Sequence, residues 1–232
     1  ADVVFLFDTT GSMGGEISSA KADAVAFANE LASNSIDYRL GLVEFRDICV
    51  DGTMGLVNHG MTDTAAGFNA LIDPLRASGG GDLPESSIDS IKEAAINLPL
   101  RADAAKIFIL ITDAGPKLPP SDCTATSEAE VLDLMARAGI TLYVVSPSPA
   151  DSTYNRLVSE TGGQWWDLNF SGRDFSVILD SINSSIVDDA RKPAADAGVD
   201  QTVSAGQEVA LDGSGSTTVD DRITIDTFLW EY

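Results

Sequence analysis

Residues 2–13 read DVVFLFDTTGSM, and the fold is decided here. Val3 to Phe7 form an unbroken apolar run with no polar alternation, which fits a strand covered on both faces, as in a parallel sheet. Asp8 ends the run, and small polar residues follow. Ile17, Ala20, Ala24, Phe27, Ala28 and Leu31 then recur at helical spacing, predicting a helix to about Asn34. The unit is strand, loop, helix, and its loop carries Asp8 with hydroxyls two and four residues later, on Thr10 and Ser12.

The same alternation continues outward. YRLGLVEFRD (38–47) reads as a second strand, and GTMGLVNHG (52–60) as a short antiparallel partner at the sheet edge, reached by a tight connection. A polar helix is expected from Thr64 to Leu75, then the glycine loop RASGGGDLPESS (76–87). Pro84 suits the first turn of the next helix, which carries Ile88, Ile91, Ala95 and Ile96. AKIFILITDAGP (105–116) is the most apolar strand and must be central. TLYVVSPS (141–148) and GQWWDL (163–168) supply two more strands, with helices near 126–138, 151–161 and 174–188. The sum is about six strands in one α/β, doubly wound, mostly parallel sheet flanked by helices.

The chain has 232 residues, 44% of them apolar, enough for one sizeable core and the beginning of a second. Its 36 acidic against 14 basic side chains give a formal charge of -22, which excludes nucleic acid as an expected partner and fits salt-rich or calcium-rich surroundings. No run approaches the ~20 apolar residues of a membrane span. Ala1 opens almost directly into a strand, so a mature or cut-down chain is expected. Cys49 and Cys123 are too few for a metal cluster but can form one disulfide, from loops after the second and fourth strands.

In doubly wound sheets, ligands bind at the carboxyl ends of the strands, where strand order reverses. Asp8, Thr10 and Ser12 follow the first strand, Asp82 sits in the glycine loop, and Asp113 closes the central strand. All offer hard oxygen, with no imidazole or thiolate. A divalent cation is the consistent guest, with Mg2+ first and Ca2+ or Mn2+ as alternatives. Other polar residues read more plainly: Arg46, beside Glu44 and Asp47, as a solvated loop charge, and His59, the sole histidine, as a surface residue. Adjacent Trp165 and Trp166 should face opposite sides of their strand.

DTTGSM, GGGDLPES and ILITDAGP, in this order at these strand ends, resemble the von Willebrand factor type A domain over about residues 1–189. The resemblance implies a metal-ion-dependent adhesion site on Asp8, Thr10, Ser12 and Asp113. It also implies a non-enzymatic adhesion or protein-interaction module, extracellular or on the cell surface, that captures a protein or surface ligand through an acidic group completing the ion's shell. Where many adhesive members carry threonine in the intervening loop, this sequence has Asp82. Bound directly, it would overcompensate the ion's charge; acting through water, the expected arrangement, it leaves a position open.

Three other readings remain. DTTGS after an apolar strand also resembles the phosphorylated loop of haloacid dehalogenase-type phosphatases, with Asp8 as nucleophile and Thr112 in the second motif. The strand ending TLYVVSPSPADS lacks that chemistry's paired aspartates, and Asp82 would have no role. In a plainer reading, Thr10 and Ser12 merely cap a helix. In the third, the ion is purely structural. Beyond a linker at 190–196, residues 197–232 alternate in short strand-like runs and resemble the first part of a polycystic kidney disease domain, an immunoglobulin-like β-sandwich carrying LDGSGS and a core tryptophan, here Trp230. A sandwich needs about seven strands, so the remainder is expected in a longer polypeptide.

Overall fold

The apolar run at the amino end forms β1 (Asp2–Asp8), in which every residue is buried. The computed structural model describes residues 1–33, 37–81, 83–121, 123–147, 152–168, 179–184, 202 and 212–216. β1 is flanked in parallel by β2 (Arg39–Phe45) and β4 (Lys106–Ile111). β5 (Ile140–Ser146) and β6 (Trp165–Asp167) extend the parallel sheet, and β3 (Leu56–Thr62) closes the other edge antiparallel to β2. The order β3-β2-β1-β4-β5-β6 makes a six-stranded α/β sheet of the doubly wound kind. From β1 the chain steps outward to β2 and β3, then returns to lay β4 on the opposite side of β1. The carboxyl ends of β1 and β4 therefore part around a crevice, the switch point at which such folds bind ligands.

Alternate β1 side chains serve opposite layers. Phe5 meets Phe27 of α1 (Ile17–Ser33) with ring centroids 5.7 Å apart, and Phe68 of α3 (Ala65–Ile72) at 5.1 Å. On the other face, Val4 and Leu6 join a core with Ile88 and Ile91 of α4 (Ser87–Asn97), Val131 and Met135 of α5 (Glu128–Ala138), and Tyr154 and Leu157 of α6 (Ser152–Thr161). Each such side chain contributes about 1.5–3 kcal/mol when fully buried, so the central strand is fixed from both sides. Serine and threonine start two of these helices. Thr64 accepts from Gly67 N at 3.0 Å and Ser127 from Glu130 N at 3.2 Å, each satisfying an otherwise unpaired amide.

Several expectations need correction. The connection from β2 to β3 is not tight: α2 (Ile48–Asp51) and a 3-10 turn (Gly52–Gly55) intervene, each too short to show a period in the sequence. α3 is apolar rather than polar, burying Phe68 and Ile72. Pro84 lies before α4, not in its first turn, because Glu85 first pairs with Pro116 in an isolated bridge. Trp165 packs against the core and donates Nε1 to Ser146 Oγ at 2.8 Å, whereas Trp166 stacks on Tyr143. Of the helix expected near 174–188, residues 179–184 are described and are helical.

The chain divides into two units, Ala1–Asn183 and Ser184–Tyr232. The expected linker at 190–196, Trp230, and all of 197–232 except residues 202 and 212–216 lie outside the described residues. Within 212–216, Ser214 N donates to Asp212 Oδ1 in a local turn. Among the described residues, no helix is long and apolar enough to cross a membrane.

Candidate metal centre

β1 ends with Asp8 paired to Phe45 of β2, while β4 stops opposite Phe7. The backbone then turns on Asp8 itself: Oδ1 accepts from Thr10 N at 2.9 Å and from Thr10 Oγ1 at 2.7 Å. Thr10 Oγ1 and Ser12 Oγ lie 3.1 Å apart, and Ser12 Oγ donates to Asp113 Oδ1, also at 3.1 Å. Four expected site residues, Asp8, Thr10, Ser12 and Asp113, thus form one unbroken chain of oxygen contacts across the switch point. Asp8 and Thr10 are buried, Asp113 is half-buried and Ser12 is exposed, so the row opens to solvent at Ser12. The fifth, Asp82, lies outside the described residues.

Asp8 is fully buried, and its second oxygen accepts from Thr112 Oγ1 at 2.6 Å. Neither oxygen is left without a hydrogen bond. Burial lifts the Asp8 carboxyl to about 6; hydrogen bonds from Thr112 and Thr10 oppose the rise, and the charge of Asp113 adds to it. A cation beside it would favour the ionised form. The donor set is oxygen throughout, on two carboxylates and two hydroxyls, which fits a hard divalent cation.

The glycine loop lies over this row. Ser78 N donates to Thr9 O at 2.8 Å, and Gly11 N to Gly79 O at 3.1 Å, so the two loops are joined backbone to backbone. Gly80, at φ 91°, passes so close to Thr10 that a Cβ there would stand 2.7 Å from Thr10 Cγ2. Only glycine suits both the dihedral and the contact. From outside, Asp51 at the end of α2 accepts from Gly80 N at 2.8 Å.

Next to the row stand groups that the sequence reading passed over or misjudged. Arg46 is no solvated loop charge: its guanidinium donates to Glu44 Oε1 at 2.8 Å and to Thr9 Oγ1 at 3.0 Å, and Thr9 donates to Glu44 at 2.7 Å. Nor is His59 a free surface residue, since its Nε2 lies 3.0 Å from Glu44 Oε2. Burial alone would raise the Glu44 carboxyl, but hydrogen bonds from His59, Thr9 and Arg46 take it down to about 2. Asp47, fully buried, accepts from Cys49 N at 2.7 Å and pairs with Lys117 at 2.5 Å. Glu85 is buried as well. Burial pushes it up to about 8, with Asp8 and Asp47 adding, Lys117 opposing, and Asp113 adding further. Acidic residues at or just beyond a strand end, or in the glycine loop, that converge on one sheet edge were the available signal for Glu44, Asp47 and Glu85.

Cys49 and Cys123 are joined as a disulfide, Cα to Cα 5.3 Å. Cys49 belongs to α2 rather than to a loop. With Asp47 they form a trio whose ligand atoms lie within 4.8 Å of one another. Joined sulfurs offer no thiolate, which leaves a single carboxylate already paired with the Lys117 ammonium, so in the oxidised chain the oxygen row, with two carboxylates and two hydroxyls, is the better cation seat.

The von Willebrand factor A domain model matches residues 2–169. Human von Willebrand factor A domain-containing protein 7 is 31% identical over 141 residues, 60% of this chain and 14% of that protein. Its mouse counterpart is 30% identical over 161 residues, 69% of this chain and 15% of that protein. The chain therefore spans only a small part of the curated relatives it matches. Among solved structures, proximal thread matrix protein 1 from the mussel byssus, described with a zinc-occupied MIDAS motif, aligns with TM-score 0.63 at 16% identity. The match covers 80% of this chain and 45% of that one. A second crystal form of that protein gives TM-score 0.56 over 82% of this chain. At such identity, the likeness is one of fold.

Proposed function

This chain belongs to the von Willebrand factor A domain family, and on that premise we propose that it is a non-enzymatic binding module. Asp8, Thr10, Ser12 and Asp113 hold a divalent cation, and the ion's open side takes an acidic group of a protein or surface partner. The observation that carries this is the unbroken row of four oxygen side chains drawn from two strand ends at the switch point. Two carboxylates balance a divalent charge, and the two hydroxyls add neutral ligands. The solvent-open side at Ser12 is the natural place for a partner's oxygen, which favours adhesion over a purely structural ion. Binding also suits Asp8 better than covalent phosphoryl transfer, because the strand ending TLYVVSPSPADS lacks the paired aspartates with which that chemistry holds its magnesium.

Hard donors argue for Mg2+, with Mn2+ or Ca2+ as alternatives. The zinc described in the mussel protein makes that ion a useful comparison. We assign the module to an extracellular or cell-surface protein, with residues 197–232 beginning a polycystic kidney disease-like spacer. The test is calorimetric titration of Mg2+, Mn2+, Ca2+ and Zn2+ into chelator-treated protein. One site in the wild type, lost in the Asp8→Ala, Asp113→Ala double variant, is the expected result. Equal binding by both proteins would move the ion elsewhere, and binding with no effect on partner capture would leave a structural ion.

A further inference from the structure

We propose that the Cys49–Cys123 bridge covers a second metal site, separate from the oxygen row: opened by a dithiol reductant, the two cysteine thiolates and the Asp47 carboxylate take up one Zn2+ ion. The site is gated by oxidation state, and it stands or falls independently of the cation reading above.

Two cysteines are too few to hold a metal by themselves, and Asp47 supplies the missing ligand. One of its carboxylate oxygens and both sulfurs lie within 4.8 Å of one another. A tetrahedral zinc with bonds of about 2.0–2.3 Å sets its ligand atoms about 3.5 Å apart, so small side-chain rotations close the trio around the ion. The Cα atoms of Cys49 and Cys123 stand 5.3 Å apart, and the bridge already turns both side chains toward each other. Asp47 is fully buried and held in place: it caps α2 by accepting from Cys49 N at 2.7 Å, and it pairs with Lys117 at 2.5 Å. Those two bonds leave lone pairs on its oxygens, since an ionised carboxylate accepts at about four positions. Both cysteines are exposed, so a reductant and the ion can reach them and a water can complete the zinc shell.

A dithiol reductant delivers two electrons, one to each sulfur. The S–S bond breaks, and the reductant closes to its own disulfide as its two protons pass to the cysteines. Zinc then displaces both thiol protons to solvent. Two thiolates and a carboxylate exceed the ion's charge by one, and the Lys117 ammonium on Asp47 restores neutrality. Ser121 Oγ lies 3.6 Å from Cys49 Sγ and 3.4 Å from Cys123 Sγ, placed to donate to a thiolate and orient it toward the ion. Thiolate sulfur sets this site apart from the oxygen row, since it favours Zn2+ or Co2+ over Mg2+ and Ca2+.

The experiment titrates Co2+ and then Zn2+ into the chelator-treated full chain with saturating Mg2+ present, once oxidised and once reduced by a dithiol that is removed under argon. The reduced chain is expected to bind one Co2+ with a sulfur-to-cobalt charge-transfer absorption, to release about two protons in doing so, and to lose the absorption when Zn2+ replaces Co2+. The oxidised chain has the same oxygen row and should show no such absorption. Asp47→Asn keeps the shape and removes the charge. In the reduced chain it should weaken Zn2+ binding by about tenfold or more, since even groups that only orient a ligand have effects of that size. No charge-transfer absorption in the reduced wild type, or Zn2+ affinity of Asp47→Asn within twofold of it, would overturn the proposal. If Asp47→Asn does not fold, the Cys49→Ser and Cys123→Ser single variants decide. Loss of tight Zn2+ binding in both supports the site, and affinity within twofold of the reduced wild type in either overturns it. A reduced chain that unfolds and is not refolded by Zn2+ also overturns it, because metal held by a built site adds to folding stability.

Discussion

Glu44 shows how one side chain can carry a disproportionate share of the site's rigidity. It is 7% exposed and ties Thr9, the residue between Asp8 and Thr10, to Arg46 and His59. Its folded value of about 2 lies below the ordinary 4.5. The stabilisation is therefore present above about pH 4.5 and lost as pH falls through about 2. Glu44→Gln should cost about 2 kcal/mol near neutral pH, the scale of hydrogen bonds to a charged group. Denaturant melts at pH 6 and pH 3 should show the difference between wild type and variant shrinking at the lower pH; a constant difference would contradict the role given to the charge. The meeting of Asp8, Thr10, Ser12 and Asp113 at one sheet edge was legible in the sequence because strand-end positions follow from where apolar runs stop. The Glu44–His59 pair was not. His59 is skipped in the β2–β3 pairing, where Leu42 faces Gly60 and Val43 faces Asn58. Such a bulge re-aims a side chain in a way that simple alternation does not anticipate. Glu85 escaped notice for a related reason: its buried place at this edge depends on Gly115 and Lys117, which only the folded loop brings beside it.

Among elements, the glycine loop matters most, as the roof over the oxygen row. Gly80 combines φ 91° with a Cβ position 2.7 Å from Thr10 Cγ2. Gly80→Ala should therefore destabilise the fold by about 1–3 kcal/mol, since dihedral strain and the contact act together, and should also weaken Mg2+ binding by displacing Thr10. Melting curves and calorimetry on the same sample check both effects. Unchanged affinity in a folded variant would mean that the roof does not position the row. Long elements were readable because a strand buried on both faces and a helix with a recurring apolar side each leave a pattern. α2 was not readable, since four residues contain barely one turn. Yet α2 holds Asp51, which accepts from Gly80 N, and Cys49, which bonds to Cys123. The bracing of the roof is thus built from the part of the chain with the weakest sequence signal.

Across the whole molecule, the alternation of strands and helices revealed the doubly wound sheet, and the reversal of strand order placed the site before any side chain was located. The Cys49–Cys123 bridge ties the segment after β2 to the loop after β4 across a sequence separation of 74. On the chain-entropy account a loop of that length is worth roughly 4 kcal/mol. A Cys49→Ser, Cys123→Ser double variant should lose stability of that order in equilibrium unfolding; a loss under about 1 kcal/mol would mean that the reduced chain keeps the segments together by other contacts.

The central claim, that a divalent cation sits on the row from Asp8 to Asp113, is tested most directly by a crystal grown with Mn2+ and measured for its anomalous scattering. The account predicts one strong peak within bonding reach of Asp8, Thr10, Ser12 or Asp113, and its loss in crystals of the Asp8→Ala, Asp113→Ala variant. A peak elsewhere on the chain, or an empty row at saturating Mn2+, would contradict it.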